Sequence, residues 1–204
     1  VVNLTDTLLR EPDQTSYVEM QRDGDVAIGG LPATEIATVN QTLLGEYLLQ
    51  REHAQTRRSH LFNGRYENIY IPRNLIPSIE PVLSMALFYA RQLLDVDPAQ
   101  LQLGFWFNEM QPGDRTTLHT HDDDDELLSA VYYIQARANS GDLKIHTKSA
   151  EIRYISPKEG NIILFSPQLP HEVSENFSDE LRLAVAMNFG RMSSDDSDYY
   201  EVQA

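Results

Sequence analysis

The spacing of apolar residues divides the chain into a mixed first half and a β-rich second half. Before residue 100, apolar side chains recur at helical spacing over residues 33–55 and 78–94, and each of these segments follows a proline suited to a first helical turn. Residues 25–31 and 66–72 have the short or alternating patterns typical of strands. These patterns predict two helices and two strands in the first half.

Short apolar segments then follow one another from about residue 101 to residue 190, and turn-forming residues separate nearly all of them. They predict eight strands at residues 103–110, 116–121, 129–135, 142–147, 151–155, 161–166, 171–173 and 181–189. Eight short strands at this spacing are typical of a jelly-roll barrel. The predicted fold is therefore mainly β with flanking helices, a double-stranded β-helix of the jelly-roll or cupin-like type.

The length of the chain, 204 residues, fits one domain with a sizeable core. No internal repeat and no low-complexity linker divides it. We expect a mixed α/β support over about residues 1–100, the barrel core over about 101–190 and an acidic tail over 191–204.

The charge of the chain restricts its partners. The 31 acidic and 16 basic residues give a formal net charge of −15, which repels phosphate backbones and argues against nucleic acid. The same charge attracts cationic substrates and divalent metals. The absence of cysteine rules out thiolate ligands and fits a reducing compartment. Because the sequence shows no signal-peptide pattern and no apolar run of roughly 20 residues, we expect a cytoplasmic protein without a membrane partner.

Three of the six histidines are spaced so that a barrel can bring them together. His119 and His121 are two residues apart on a predicted strand, so both side chains point to the same face. His171 begins a later strand, and Asp123 follows His121 by the same two-residue step. Two imidazoles and one carboxylate on one side of a metal are the arrangement of iron(II) sites that activate oxygen. We expect three of these four residues to hold a metal ion, and we assign the other histidines to surface or structural roles.

Four segments of the second half follow one another in an informative order: residues 108–113 with 118–121, residues 128–134 with 140–143, residues 160–165 with 170–173, and residues 182–189. Their order resembles the 2-oxoglutarate/Fe(II)-dependent dioxygenase superfamily. The first is similar to the strand pair that enters the metal site of AlkB-type demethylases, and the second to barrel strands of prolyl-hydroxylase-like members. The third resembles the strand with the distal histidine, and the last the strand whose arginine binds the co-substrate. The nearest group contains uncharacterised bacterial and phage proteins with a His-x-His motif.

This resemblance implies an iron(II)- and 2-oxoglutarate-dependent oxygenase that hydroxylates its substrate and releases succinate and CO2. It implies that Arg182 binds the far carboxylate of 2-oxoglutarate, since a guanidinium fork can hold a carboxylate at two points. Asn108, Tyr133 and Asn188 are further implied contacts of the co-substrate. Alternation sends only one of Tyr132 and Tyr133 inward, and the sequence leaves open which.

The metal-ligand set also stays open at this point. The usual motif of the superfamily is His-x-Asp, and counting from Gly113 makes His119 the first ligand and puts His121 in the place of the aspartate. A shift by two residues restores the motif as His121 and Asp123, but it stretches the spacing from Gly113.

Two other functions fit parts of the pattern. A cupin-type metal enzyme, an isomerase or a dioxygenase independent of 2-oxoglutarate, would use His119, His121, Glu126 and His171. A barrel without catalytic activity would act as a binding module. For the oxygenase, the substrate is expected to be a small molecule or a peptide. The carboxylates of residues 122–126 favour a cationic one, and a homodimer through the helices is a further hypothesis.

Overall fold

The structure is a computed structural model, and it describes residues 18–97, 100–121 and 126–191. Within these residues there are two α-helices, α1 (Ala33–Gln50) and α2 (Glu80–Leu93), and two short 3-10 helices, Arg73–Leu75 and Pro77–Ile79. The strands are β1 (Gln21–Asp23), β2 (Val26–Gly30), β3 (Arg57–Phe62), β4 (Arg65–Tyr70), β5 (Leu101–Met110), β6 (Thr116–His119), β7 (Glu126–Gln135), β8 (Leu143–His146), β9 (Ile152–Ile155), β10 (Asn161–Phe165), β11 (His171–Val173) and β12 (Arg182–Arg191).

The strands form two antiparallel sheets. The larger sheet has the order β1-β2-β10-β7-β12-β5-β4-β3, and the smaller has the order β6-β11-β8-β9. All eight strands predicted after residue 100 are present, with ends that differ by a few residues. The mainly β architecture with two flanking helices confirms the predicted fold class.

Strand β12 shows how one sequence builds two cores. Successive residues of a strand point to opposite faces of its sheet. Leu183 and Val185 belong to the core that the larger sheet forms with α1 and α2, whereas Ala184 belongs to a second core between the two sheets. The second core contains Met110 and Tyr133 of the larger sheet and Ile145 of the smaller one. The helices therefore support the outer face of the larger sheet and leave its inner face to the space between the sheets.

Polar contacts attach α1 to the larger sheet. The Tyr47 hydroxyl donates to Glu109 of β5 at 2.5 Å, and Arg51 pairs with the same carboxylate at 2.9 Å. Burial and the hydrogen bond to Glu109 raise the pKa of Tyr47. Burial alone would also raise the pKa of Glu109, but the hydrogen bonds from Tyr47, Gln111 and Arg51 outweigh it and hold that pKa below its usual value. These bonds fix the helix against β5, which forms part of the cavity floor described below.

Two strands, β1 and β3, were not predicted from the sequence. The β3–β4 hairpin turns at Asn63 and Gly64, both with positive φ (50° and 80°). An Asn-Gly pair is a strong hairpin signal, because the favoured two-residue turn needs positive φ at both positions. Strand β3 lies at the edge of the sheet and is largely polar, so its sequence lacks the apolar alternation that predicts a strand.

No helix in the described ranges is long and apolar enough to cross a lipid bilayer.

We expect Gly141→Ala to destabilise the protein. Gly141 has a φ of +99°, and an added Cβ would lie 2.4 Å from the carbonyl oxygen of Ser174. The left-handed conformation alone costs a side chain about 1–2 kcal/mol, and the overlap adds to that cost. Urea denaturation should show the midpoint moving to lower urea.

The control for this prediction is Gly45→Ala. Gly45 lies inside α1, and nothing stands within 4 Å of an added Cβ. Alanine should therefore stabilise the protein by up to about 1 kcal/mol, through its higher helix propensity. Equal midpoints for Gly141→Ala and the parent would contradict the account of this turn.

Candidate metal centre and co-substrate pocket

The pairing of two short strands brings the three predicted histidines together. In the antiparallel register of β6 and β11, His119 lies opposite His171, and their ring centroids are 4.3 Å apart. His121, just beyond β6, has its ring 5.0 Å from that of His119 and 5.2 Å from that of His171. One ring nitrogen from each of the three residues lies within 4.8 Å of the other two. This spacing suits three ligands around one ion.

Backbone hydrogen bonds orient two of these rings. Nδ1 of His119 lies 2.7 Å from the carbonyl oxygen of Thr117, and Nδ1 of His171 lies 2.9 Å from that of Leu169. Because a carbonyl oxygen only accepts, both Nδ1 atoms carry the proton. The lone pair is then on Nε2, the atom left free to bind a metal, and such bonds fix both tautomer and ring orientation.

Burial keeps His171 neutral. Only 6% of its surface is exposed, and burial, together with the neighbouring imidazoles of His119 and His121, lowers its pKa to about 3. A neutral imidazole is the form that binds metals. His171 therefore offers its lone pair throughout the physiological pH range.

The carboxylates near the histidines have other partners or lie outside the described residues. Asp123 falls in the gap between residues 121 and 126. In the part of the chain that is described, the group with metal-ligand spacing consists of three histidines, and Glu126 is not in it. Glu126 Oε2 lies 3.7 Å from Nδ1 of His121, and its Oε1 accepts a hydrogen bond from Asn188 at 2.5 Å.

A cavity of about 330 Å³ opens beside the histidines. Its floor includes the inward-facing residues of β12, which are small at Ala184 and Ala186. Gly104 of β5, paired with Asn188 of β12, also lines it. These small side chains leave room for a ligand next to the three imidazoles.

Arg182 lies in the wall of this cavity with 1% of its surface exposed. Within the described residues no acidic side chain pairs with it, and its Nε has no hydrogen-bond partner. Its guanidinium lies 5.2 Å from the centre of the Tyr133 ring, and its Nη1 is 3.4 Å from Sδ of Met110. Burial lowers the pKa of Arg182, and Tyr133 opposes that shift. A buried cation without a counterion is costly, so an anion bound beside Arg182 would offset part of that cost.

The other predicted co-substrate contacts differ in the hydrogen bonds that their side chains make within the protein. Asn108 lines the cavity and donates to the carbonyl of Glu67 at 3.0 Å, while its buried Oδ1 has no hydrogen-bond partner in the described ranges. Tyr133 points inward beside Arg182, whereas Tyr132 points outward and donates to Asn40 of α1. The amide of Asn188 is bound by Ser129 and Glu126.

Several residues that line the cavity were not predicted as site residues, among them His60, which was assigned to a surface or structural role. They are His60, Glu67 and Tyr70 on or beside the β3–β4 hairpin, and Trp106 on β5. Trp106 lies two residues before Asn108 on the same strand, and both side chains therefore point to the same face. The predicted inward position of Asn108 would thus have predicted that of Trp106. His60 lies on β3, which was not predicted. Glu67 and Tyr70 lie on the predicted strand β4, whose place beside the cavity had no local signal.

Residues 105–190 match the family model described as "2OG-Fe(II) oxygenase superfamily". This region of the chain belongs to the 2OG-Fe(II) oxygenase superfamily. The match confirms the resemblance seen in the sequence, and with it an enzyme that uses Fe(II) and 2-oxoglutarate. No curated protein matches the chain.

Solved structures share the fold of this oxygenase. A Pseudomonas putida prolyl-4-hydroxylase is 15% identical, with a TM-score of 0.57 over 83% of this chain and 89% of its own. A Trichoplax adhaerens prolyl hydroxylase, solved with a peptide fragment of hypoxia inducible factor, is 13% identical, with a TM-score of 0.61 over 82% of this chain and 84% of its own. EvdO2 from Micromonospora carbonacea var. aurantiaca, complexed with 2-oxoglutarate, is 17% identical, with a TM-score of 0.57 over 87% of this chain and 91% of its own. At these identities the likeness shows the fold alone.

The buried His171 predicts how the metal-free oxygenase responds to acid. The folded pKa of about 3 lies below the ordinary 6.5, so the unfolded chain takes up a proton before the folded one does. Stability present above pH 6.5 is therefore lost as the pH falls towards 3, by up to about 1.4 kcal/mol per pH unit for this one group. The measurement is the urea midpoint in chelator, at about pH 7.5 and about pH 5.

Replacing His171 with leucine should reduce this loss, while His53→Leu, a change at an exposed histidine, should keep it. If His171→Leu lost as much stability on acidification as the parent, the imidazole would not be held neutral.

Proposed function

We propose that the iron of this oxygenase is held by Nε2 of His119, His121 and His171, and that 2-oxoglutarate lies in the cavity with its far carboxylate on Arg182. The product is a hydroxylated substrate, with release of succinate and CO2. The observation that carries the proposal is the presence, in one cavity, of three converging imidazoles and a buried guanidinium without an acidic partner in the described residues.

The donor set fits an iron(II) ion. Imidazole nitrogens are suitable ligands for iron, and three of them on one side leave positions open for other ligands. When bound, iron and 2-oxoglutarate supply the oxidative decarboxylation that activates dioxygen. The part of the chain is to present neutral nitrogens in fixed orientation, through the carbonyls of Thr117 and Leu169, and to keep the pocket dry.

His121 rather than Asp123 is the proposed third ligand. Support comes from the ring nitrogens that lie within 4.8 Å of one another. A further support is the backbone N–H of His121, which donates to the carbonyl of Pro167 at 2.9 Å and anchors this residue close to His171. The cupin-type alternative, with Glu126 as a fourth ligand, has no support in this grouping and gives Arg182 no role.

The co-substrate would be oriented by charge at its far end. A guanidinium can hold a carboxylate through two parallel hydrogen bonds, and in a buried site such bonds are strong. Tyr133 packs against Arg182, and Asn108 lines the same cavity. We propose both as co-substrate contacts. We assign Asn188 to the same pocket, although its amide bonds are made with Ser129 and Glu126.

For the substrate, we propose a small molecule or peptide that carries a positive charge. Tyr70 and Trp106 face the cavity with ring centroids 6.2 Å apart, and aromatic faces attract organic cations. The net charge of −15 adds a long-range attraction. The same charge supports the proposal that nucleic acid is not a partner.

The domain organisation and the cellular location of the protein are further proposals. We propose one domain, with the barrel core over about residues 101–190 and an α/β support before it, in a cytoplasmic protein. We also propose a homodimer through the helices. It is supported by Leu49 of α1, a large apolar side chain that is 75% exposed and that a second copy could cover.

Arg182→Met should weaken 2-oxoglutarate binding at least about tenfold, because truncating one member of a buried charge pair typically costs 2–5 kcal/mol. It should leave Fe(II) binding intact. Methionine keeps a long apolar stem in the buried site while it removes the charge. The measurement is anaerobic titration of the Fe(II)-loaded protein with 2-oxoglutarate.

Two further variants set the scale of that titration. His171→Ala should lose binding of Fe(II), and with it the metal-dependent binding of 2-oxoglutarate. His146→Ala should bind both like the parent, because His146 lies on β8 beside Glu172 and outside the three-histidine group. Binding of 2-oxoglutarate that ignored Arg182→Met would sink the proposed pocket.

Organic ammonium compounds should stimulate succinate release by the Fe(II)-loaded enzyme more than neutral compounds of the same shape. The advantage should shrink as salt is raised, because salt screens the long-range attraction. Tyr70→Leu should reduce it and leave succinate release without substrate unchanged. Equal stimulation by neutral and cationic compounds would contradict the cationic class while leaving the oxygenase assignment intact.

A further inference from the structure

Glu126 contacts one of the three histidines of the proposed iron site. Its Oε2 lies 3.7 Å from Nδ1 of His121, and both side chains are largely buried, with 14% and 19% of their surfaces exposed. If Nε2 of His121 faces the metal, as the free nitrogens of His119 and His171 do, then Nδ1 is the nitrogen that faces away from it. Glu126 therefore stands behind His121 as seen from the ion.

The three histidines differ in what lies at Nδ1. His119 and His171 each direct this atom at a neutral backbone carbonyl, whereas His121 directs it at a carboxylate. A carboxylate behind a metal-bound imidazole fixes its orientation and raises its basicity. The three ligands themselves are neutral, so this carboxylate would place a negative charge one residue away from a divalent ion.

The position of Glu126 is fixed by contacts with the larger sheet. Its Oε1 accepts a hydrogen bond from Nδ2 of Asn188 at 2.5 Å. Oδ1 of Asn188 accepts in turn from the hydroxyl of Ser129 at 2.8 Å, and Ser129 and Asn188 are register partners across β7 and β12. A chain of contacts therefore runs from the larger sheet through Asn188 and Glu126 to His121.

We propose that Glu126 is a positioning residue of the iron site, which acts through His121 and is not itself a ligand. On metal binding, its carboxylate accepts a hydrogen bond from the Nδ1–H of His121, for which a shift of about 1 Å from the present separation is enough. It thereby supplies, from behind the imidazole, the negative charge that a carboxylate ligand brings to a two-histidine site. This inference rests on the proposed function, since it requires His121 to be a ligand.

Titration of the purified protein with Co(II) tests the inference without relying on activity. Co(II) reports both its affinity and, through its visible absorption, its set of ligands. Glu126→Ala should bind Co(II) about 10–100-fold more weakly, as is usual when the partner of a ligating histidine is removed. The shape of the spectrum should stay that of the parent. Glu126→Gln, which keeps a hydrogen-bond acceptor and loses the charge, should lie between the two.

Glu172→Ala is the matched control. Glu172 is the neighbour of His171 in sequence, pairs with Lys144 and His146, and has 30% of its side-chain surface exposed. Its removal changes the net charge by the same single unit. It should therefore leave Co(II) affinity unchanged, which separates a contact with His121 from a general effect of charge.

The outcomes are distinguishable. Equal affinity for the parent and Glu126→Ala would overturn the inference alone. A changed spectrum in both Glu126 variants would also overturn it, because Glu126 would then be a direct ligand. A parent protein that binds no Co(II), or that binds it as well after His171→Ala, would instead overturn the proposed iron site on which the inference rests.

Discussion

The antiparallel register between β6 and β11 is the constraint on which the proposed site depends. It puts His119 directly opposite His171, and a slip by one residue would turn one of these side chains to the other face of the sheet. Each strand is short, four residues in β6 and three in β11, so their own pairing is a weak restraint. The register is held by what surrounds it: β8 pairs with the other side of β11, and the backbone of His121 bonds to Pro167.

The same space between the sheets contains groups that folding alone does not favour. His171 is buried in its neutral form, and Arg182 is buried without an acidic partner in the described part of the chain. Burial of such groups costs stability, and the apolar core between the larger sheet and the helices offsets that cost. A ligand that brings a cation to the imidazoles and an anion to the guanidinium would relieve both costs, as expected of a metal bound together with 2-oxoglutarate.

The sequence predicted the elements of this fold better than their pairings. Short apolar segments separated by turn residues predicted all eight strands after residue 100. The meeting of His119 with His171 was expected from their places in the predicted barrel, whereas their pairing in register is seen only in the structure. The inward position of Tyr133 could not be predicted. Alternation puts Tyr132 and Tyr133 on opposite faces of the sheet but does not say which face lies inside the barrel.

Other features depend on contacts between distant segments and had no local signal. Strand β3, which pairs with the predicted strand β4 and carries His60 to the cavity, was missed because it is a polar edge strand. Glu126 was considered as a cupin-type ligand, and its contact with His121 depends on Asn188, which lies 62 residues further along the chain. Asp123 lies outside the described residues, so its role as a ligand stays a prediction.

The most direct test of the central claim is a crystal structure of the protein with Mn(II) and 2-oxoglutarate, grown without oxygen. We expect Mn(II) to be bound by Nε2 of His119, His121 and His171, with the far carboxylate of 2-oxoglutarate against the guanidinium of Arg182. An ion bound by Asp123 in place of one of these histidines, or 2-oxoglutarate bound away from Arg182, would contradict it.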